Sequence, residues 1–97
     1  KLIRPEEGLK WNYAYCPVIF DGYKENRDQI KEKLEKENIF ARKYFYPITN
    51  QFACYKEQYG QVNLPVAAKA AKNVLTLPMY ADLTLEDADR ICNIILR

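Results

Sequence analysis

The sequence predicts an α+β domain, with helices on one face of a small, three-stranded, mostly antiparallel sheet. Three observations point there. Short stretches of two-residue alternation are interleaved with longer stretches of helical spacing, which is the pattern of a mixed layer. The helical stretches carry their own start signals. A chain of 97 residues buries only about two-thirds of its unfolded surface, so it supports one modest core and cannot cover two faces of a sheet.

Residues 1–10, with Pro5 and Gly8, read as a linker or edge segment, and the domain proper as 11–97. Trp11, Tyr13 and Tyr15 alternate with Asn12, Ala14 and Cys16, and Val18-Ile19-Phe20 continues the run, predicting the first strand. Pro17 has no N–H, which places this strand at a sheet edge or beside a bulge. Asp21-Gly22 is a turn signal. Asn26 caps a predicted helix over about 27–37, with Ile30 and Leu34 facing inward. Its Lys and Glu residues alternate in sign, as on a solvated helical face. Asn38 suits a left-handed C-terminal cap.

Phe40 to Tyr46 reads as a second strand ended by Pro47, and residues 47–63, polar, aromatic and without pattern, as a long loop. Pro65 fits the first turn of a helix with Val66, Ala67, Ala70, Ala71 and Val74 on one face. Val74 to Leu77 is a third strand, stopped by Pro78. Thr84 then starts the last helix, with Asp87 placed as in a capping box and Leu83 as a staple. Its expected inward face is Leu85, Ala88, Ile91, Cys92 and Ile95.

Composition excludes more chemistry than it supports. Fifteen Lys+Arg against thirteen Asp+Glu leave +2, too little to argue for nucleic acid or an anionic membrane. With no histidine, Ser-His, Cys-His and His-metal mechanisms are removed together. Cys16, Cys54 and Cys92 lie 38 residues apart each time and form no paired motif. They read as free thiols of a reduced cytoplasmic protein. No apolar run approaches the ~20 residues that cross a bilayer. The start at Lys-Leu-Ile-Arg-Pro has the look of a cut from something longer. No phosphate loop, metal site or nucleophile setting is visible, so an enzyme complete within these residues is not expected.

One stretch stands out. Residues 41–47, Ala-Arg-Lys-Tyr-Phe-Tyr-Pro, concentrate a guanidinium, two phenols and a rigid Pro at a strand end. Arg42 suits a phosphate or carboxylate, while Tyr44 and Tyr46 offer hydroxyls and stacking faces for an anionic, ring-shaped ligand. Core packing by alternate aromatics is the other reading of the same spacing. A single-stranded nucleic-acid module that stacks bases, or a protein-interaction module with exposed tyrosines, are further readings. Near-neutral charge weighs against the first of these.

Five ordered motifs carry a resemblance: Asn-Tyr-Ala-Tyr-Cys-Pro-Val (12–18), Asn-Arg-Asp (26–28), Arg-Lys-Tyr-Phe-Tyr-Pro (42–47), Val-Leu-Thr-Leu-Pro-Met-Tyr (74–80) and Leu-Thr-Leu-Glu-Asp-Ala-Asp-Arg-Ile (83–91). Together they resemble the C-terminal small domain of the DegT/DnrJ/StrS sugar aminotransferases, fold type I enzymes that use pyridoxal phosphate. The resemblance implies a full-length, dimeric enzyme that converts a nucleotide-linked (dTDP- or UDP-) keto-deoxysugar to an amino sugar. Its nitrogen would come from glutamate or a similar donor. It implies that Arg42, Tyr44, Tyr46 and Pro47 line the sugar-nucleotide side of the cavity. Thr49 stands where many members have His, which hints at a different sugar. The Schiff-base lysine and the other cofactor contacts would belong to a large N-terminal domain. No cofactor is then expected on these 97 residues, and no catalytic residue among them.

Overall fold

The computed structural model describes all 97 residues. Its elements run β1 (Cys16–Ile19), α1 (Arg27–Glu35), a 3-10 turn (Thr49–Gln51), α2 (Ala53–Tyr59), α3 (Pro65–Asn73), β2 (Val74–Leu77) and α4 (Leu85–Leu96). The α+β class stands, but the sheet has two strands, not three. β1 and β2 pair antiparallel, with Cys16 opposite Leu77 and Ile19 opposite Val74. Isolated antiparallel bridges flank the pair, Leu2 to Val18 on one side and Arg42 to Thr76 on the other.

Thr76 gives its N–H to the Arg42 carbonyl at 2.8 Å and accepts the Arg42 N–H at 2.9 Å. Both its backbone groups therefore point away from β1. Pro17, opposite Thr76, occupies a position where β2 requires no N–H, and the missing donor leaves no gap in the ladder.

Two expected strand stretches shrink. Trp11–Tyr15 lies outside β1 because the chain turns locally. Asn12 Oδ1 accepts the Ala14 N–H at 3.1 Å, and Tyr13 takes a φ of 52°. An Asx turn of this kind competes with extended pairing and breaks the alternation. The predicted 40–46 strand pairs only at Arg42, because the chain turns at Tyr44 and Phe45.

The core lies between the sheet and helices α1 and α4. Ile30 and Leu34 of α1, Leu75 of β2, Ile91, Ile94 and Ile95 of α4, and Phe20, Ile39 and Ala41 form one buried cluster. Asn26 caps α1 by accepting from the Asp28 and Gln29 N–H groups, while the Gln29 side chain accepts the Asn26 N–H. This reciprocal pair satisfies three orphan donors. α1 ends at Glu35, two residues early, and Asn38 adopts the expected left-handed conformation at φ 60°. Thr84 Oγ1 accepts the Asp87 N–H at 3.0 Å and starts α4. Its buried face is rotated from the expected one: Ile94 is buried, whereas Leu85 is 85% exposed and Cys92 is exposed.

The long loop expected over 47–63 contains the 3-10 turn and α2. No apolar period marked them, because side-chain amides hold this segment together. Asn50 Nδ2 donates to the carbonyls of Tyr59 and Val62 at 3.3 and 3.2 Å, and Gln51 Nε2 to that of Gly60 at 3.0 Å. These bonds tie the end of α2 and the residues just after it back to the 3-10 turn. α2 buries none of its residues. α3 starts at Pro65 as expected, but Ala71 is its only buried residue. Val66 is 83% exposed, so the predicted Val66-Ala67-Ala70 face packs on nothing within these residues. No helix is long and apolar enough to cross a membrane.

Candidate functional site

The bridge to Thr76 brings Arg42 alongside β2, where the chain leaves the sheet at Pro78. A concavity of about 280 Å³ opens there, walled by Tyr15, Phe40, Arg42, Tyr44, Met79 and Tyr80. Most of its lining is apolar or aromatic, and Arg42 is its single charged residue. Pocket composition of this kind, with one placed polar group in an apolar wall, is the ordinary form of a small-ligand site.

Within it the aromatics fix one another. The rings of Tyr15 and Tyr44 meet edge to face at 5.6 Å between centroids, and Tyr44 stacks on Phe45 at 5.2 Å. Arg42 Nη1 donates to the Tyr44 hydroxyl at 2.7 Å. That bond orients the guanidinium while leaving its other N–H groups open to solvent. Arg27, Arg90 and Arg97 each have a carboxylate within 4 Å, but Arg42 has none. An exposed, oriented and unpaired guanidinium beside aromatic faces can take one anionic group and stack a ring next to it.

The sequence-predicted residues divide between two places. Arg42 and Tyr44 line the concavity. Tyr46 lies outside it, with its ring 4.8 Å from the Arg27 Cζ and 5.8 Å from the Lys43 Nζ. Pro47 is exposed and follows directly. Thr49, also exposed, opens the 3-10 turn. Tyr15, Phe40, Met79 and Tyr80 were not singled out by sequence reasoning. Their signal is exposure of large apolar side chains on separate segments, which only the fold gathers.

Around Tyr46 the charges form a small network. Asp28 lies 2.7 Å from Arg27 Nε and 2.5 Å from Lys43 Nζ. The Lys43 hydrogen bond, with the nearby Arg27 and Lys43 charges, outweighs the opposing effect of burial and holds the Asp28 carboxyl below the usual carboxylate range. On the sheet, partial burial of Cys16, and secondarily the neighbouring Cys92, pushes its thiol up, which lowers its thiolate fraction.

Pyridoxal phosphate, the cofactor the resemblance implies, does not fit these residues as a holder. No lysine lines the concavity to form an imine, and no carboxylate lines it to pair a pyridine nitrogen. Five of the ten lysines are already paired with carboxylates: Lys31, Lys33, Lys36, Lys43 and Lys69. What the arrangement can do is bind and orient.

Residues 3–96 match the DegT/DnrJ/EryC1/StrS aminotransferase family. The chain is 41% identical over 88 residues to a dTDP-4-amino-4,6-dideoxy-D-glucose transaminase of Escherichia coli, covering 88% of this chain and 24% of that protein. It is 37% identical over 71 residues to a UDP-N-acetyl-3-dehydro-alpha-D-glucosamine 3-aminotransferase of Acidithiobacillus ferrooxidans, covering 73% and 19%. A crystal structure from Bacillus cereus ATCC 10987, assigned as a PLP-dependent aminotransferase, superposes with a TM-score of 0.75 at 26% identity, covering 86% of this chain and 22% of that one. The chain thus spans about a quarter of the length of the relatives it matches.

Proposed function

This chain belongs to the DegT/DnrJ/EryC1/StrS aminotransferase family, and from that premise we propose that it is the C-terminal small domain of a pyridoxal-phosphate enzyme. The full-length enzyme converts a nucleotide-linked keto-deoxysugar, carried on dTDP or UDP, to the amino sugar with nitrogen from glutamate or a similar donor. Residues 11–97 close over the substrate, and residues 1–10 lead in from a large N-terminal domain. The active form is a cytoplasmic homodimer. These 97 residues alone are inactive, because the groups that grip the coenzyme lie in the large domain.

The observation that carries this reading is Arg42, the unpaired guanidinium fixed by Tyr44 in an aromatic concavity. Two of the relatives act, by name, on a dTDP-linked and a UDP-linked sugar, each of which offers both an anion and a ring. Arg42 takes one anionic oxygen of the nucleotide, and the Tyr44 hydroxyl, its lone pair already used by Arg42, presents its own proton to a sugar or phosphate oxygen. Tyr15 and Tyr80 provide faces for the base. Tyr46, Pro47 and Thr49 lie beyond this concavity, and the family resemblance is what supports assigning them to the sugar side. The coenzyme, when bound, supplies the electron sink; this domain supplies orientation and excludes water.

The test uses the full-length enzyme with dTDP- and UDP-linked keto-sugars and glutamate, following amino-sugar formation. Loss of one charge-assisted bond in Arg42→Ala should raise the KM for the nucleotide-sugar about 10- to 100-fold. The half-reaction with glutamate should be unchanged. Absence of transfer to every nucleotide-sugar, or an unaltered KM in Arg42→Ala, refutes the reading.

A further inference from the structure

Arg27 is the only charged side chain withdrawn from water, at 3% exposure, and it lies outside the concavity. A guanidinium in that position has to be matched on every side or it destabilises the fold. Its Nη1 donates to the carbonyls of Ala71 at 3.1 Å and Val74 at 3.4 Å, joining the start of α1 to the end of α3 and the first residue of β2. Its Nε lies 2.7 Å from Asp28 Oδ1, close enough for an ion pair but not directed as a hydrogen bond. The remaining partner is a π face, the Tyr46 ring, 4.8 Å from Cζ.

Tyr46 belongs to a stretch with little else to hold it. Between the Arg42–Thr76 pair and the Ile48 carbonyl, residues 43–47 make no backbone–backbone hydrogen bond. The path from Arg42 to Thr49 is therefore set by side chains. Lys43 binds Asp28, and Tyr46 is held against Arg27, with Lys43 on the same ring. The Tyr46 residue is itself 54% exposed, so burial alone does not fix it.

We propose that Arg27 is a positioning residue for the nucleotide-sugar: by clamping Tyr46 from inside the fold, it sets the direction in which the chain leaves Arg42 and places Pro47 and Thr49 against the sugar. This rests on the functional reading above and deepens it, because Arg27 touches no substrate. A purely structural arginine would support the α1–α3–β2 junction and nothing more.

The experiment uses the full-length enzyme with Arg27→Met, Arg27→Lys, Tyr46→Leu and the Arg27→Met/Tyr46→Leu double variant. Ile95→Val in the core serves as a control for general loosening. Each is assayed for KM of nucleotide-sugar, KM of glutamate, kcat and thermal midpoint. Arg27→Met and Tyr46→Leu should each raise the nucleotide-sugar KM about 3- to 10-fold, leaving the glutamate KM in place. The double variant should be no worse than either single one, and Arg27→Lys should recover part of the loss. If Arg27→Met does not fold, Arg27→Lys and Tyr46→Leu carry the comparison. Fluorotyrosine at position 46 gives a readout independent of turnover: its fluorine resonance should shift and broaden in Arg27→Lys. An unmoved resonance, additive KM effects, or both KM values rising together with a lower midpoint would overturn the proposal. A wild-type enzyme that uses no nucleotide-sugar, yet whose fluorine resonance responds to Arg27, would overturn the functional reading and leave the clamp standing.

Discussion

Replacing Ile94 by Ala should destabilise the domain by about 3 kcal/mol, whereas replacing Leu85 by Ala should cost under about 0.5 kcal/mol. Both lie on α4, and sequence periodicity assigned Leu85, not Ile94, to the inward face. Ile94 is 5% exposed and belongs to the buried cluster. The change removes three carbons, worth about 2.4 kcal/mol at 0.8 kcal/mol each. A cavity term adds to this, because the rigid surroundings of Ile30, Leu34 and Leu75, each fully buried, collapse only partly. Leu85 is already in water and loses almost no burial. Urea unfolding of the 97-residue chain, followed by circular dichroism at the helix band, should move the midpoint of Ile94→Ala down by about 1–3 M at a slope typical of this size. Leu85→Ala should stay within error of the parent. Where the isolated chain is too weak to measure, hydrogen exchange of the α4 amides in the full-length protein gives the same comparison. Equal losses for the two variants, or a larger one for Leu85, would show that the packed face of α4 has been drawn wrongly.

Asn38, at φ 60°, should accept Gly with little change, while Ala there should cost about 1 kcal/mol in a thermal melt. The depressed Asp28 carboxyl binds its proton less readily folded than unfolded. Its stabilising effect is full above the unfolded carboxylate value and is lost as pH falls through the lowered one; Asp28→Asn should flatten the acid limb of a stability–pH curve. Cys54, exposed on α2, should react with a thiol reagent well before Cys16, whose thiol is pushed up by burial and by Cys92; mass spectrometry of partly labelled protein gives the order. The amides of α2, a helix that buries no residue, should exchange rapidly in the isolated chain, and slow exchange there would contradict its lack of packing.

Local chemistry was legible and long-range chemistry was not. The caps at Asn26 and Thr84, the left-handed Asn38, the Pro65 start and the 74–77 strand all follow from residues within a few positions of each other. Failures occurred where a distant partner decides. Trp11–Tyr15 alternates like a strand, but no neighbouring backbone pairs with it, so the Asn12 turn prevails. α2 is closed by Asn50 and Gln51 from nine to twelve residues away, a span that periodicity cannot see. Of the site, Arg42 and Tyr44 could be named from composition at a strand end. Tyr80 could not, since only the fold brings it into the same concavity as Arg42. Arg27 was the least visible, because a cation at the first position of a helix reads as a solvated residue until the fold covers it.

No residue separates α3 from β2: Asn73 ends the helix and Val74 begins the strand. The two consequently turn as a crankshaft, with no slack to absorb a rotation. A torque on the exposed flank of α3, wherever the rest of the polypeptide bears on it, reaches Thr76 within three residues and passes through its two bonds to Arg42. A rotation of α3 is thus passed to the backbone of Arg42, the residue that carries the guanidinium of the concavity.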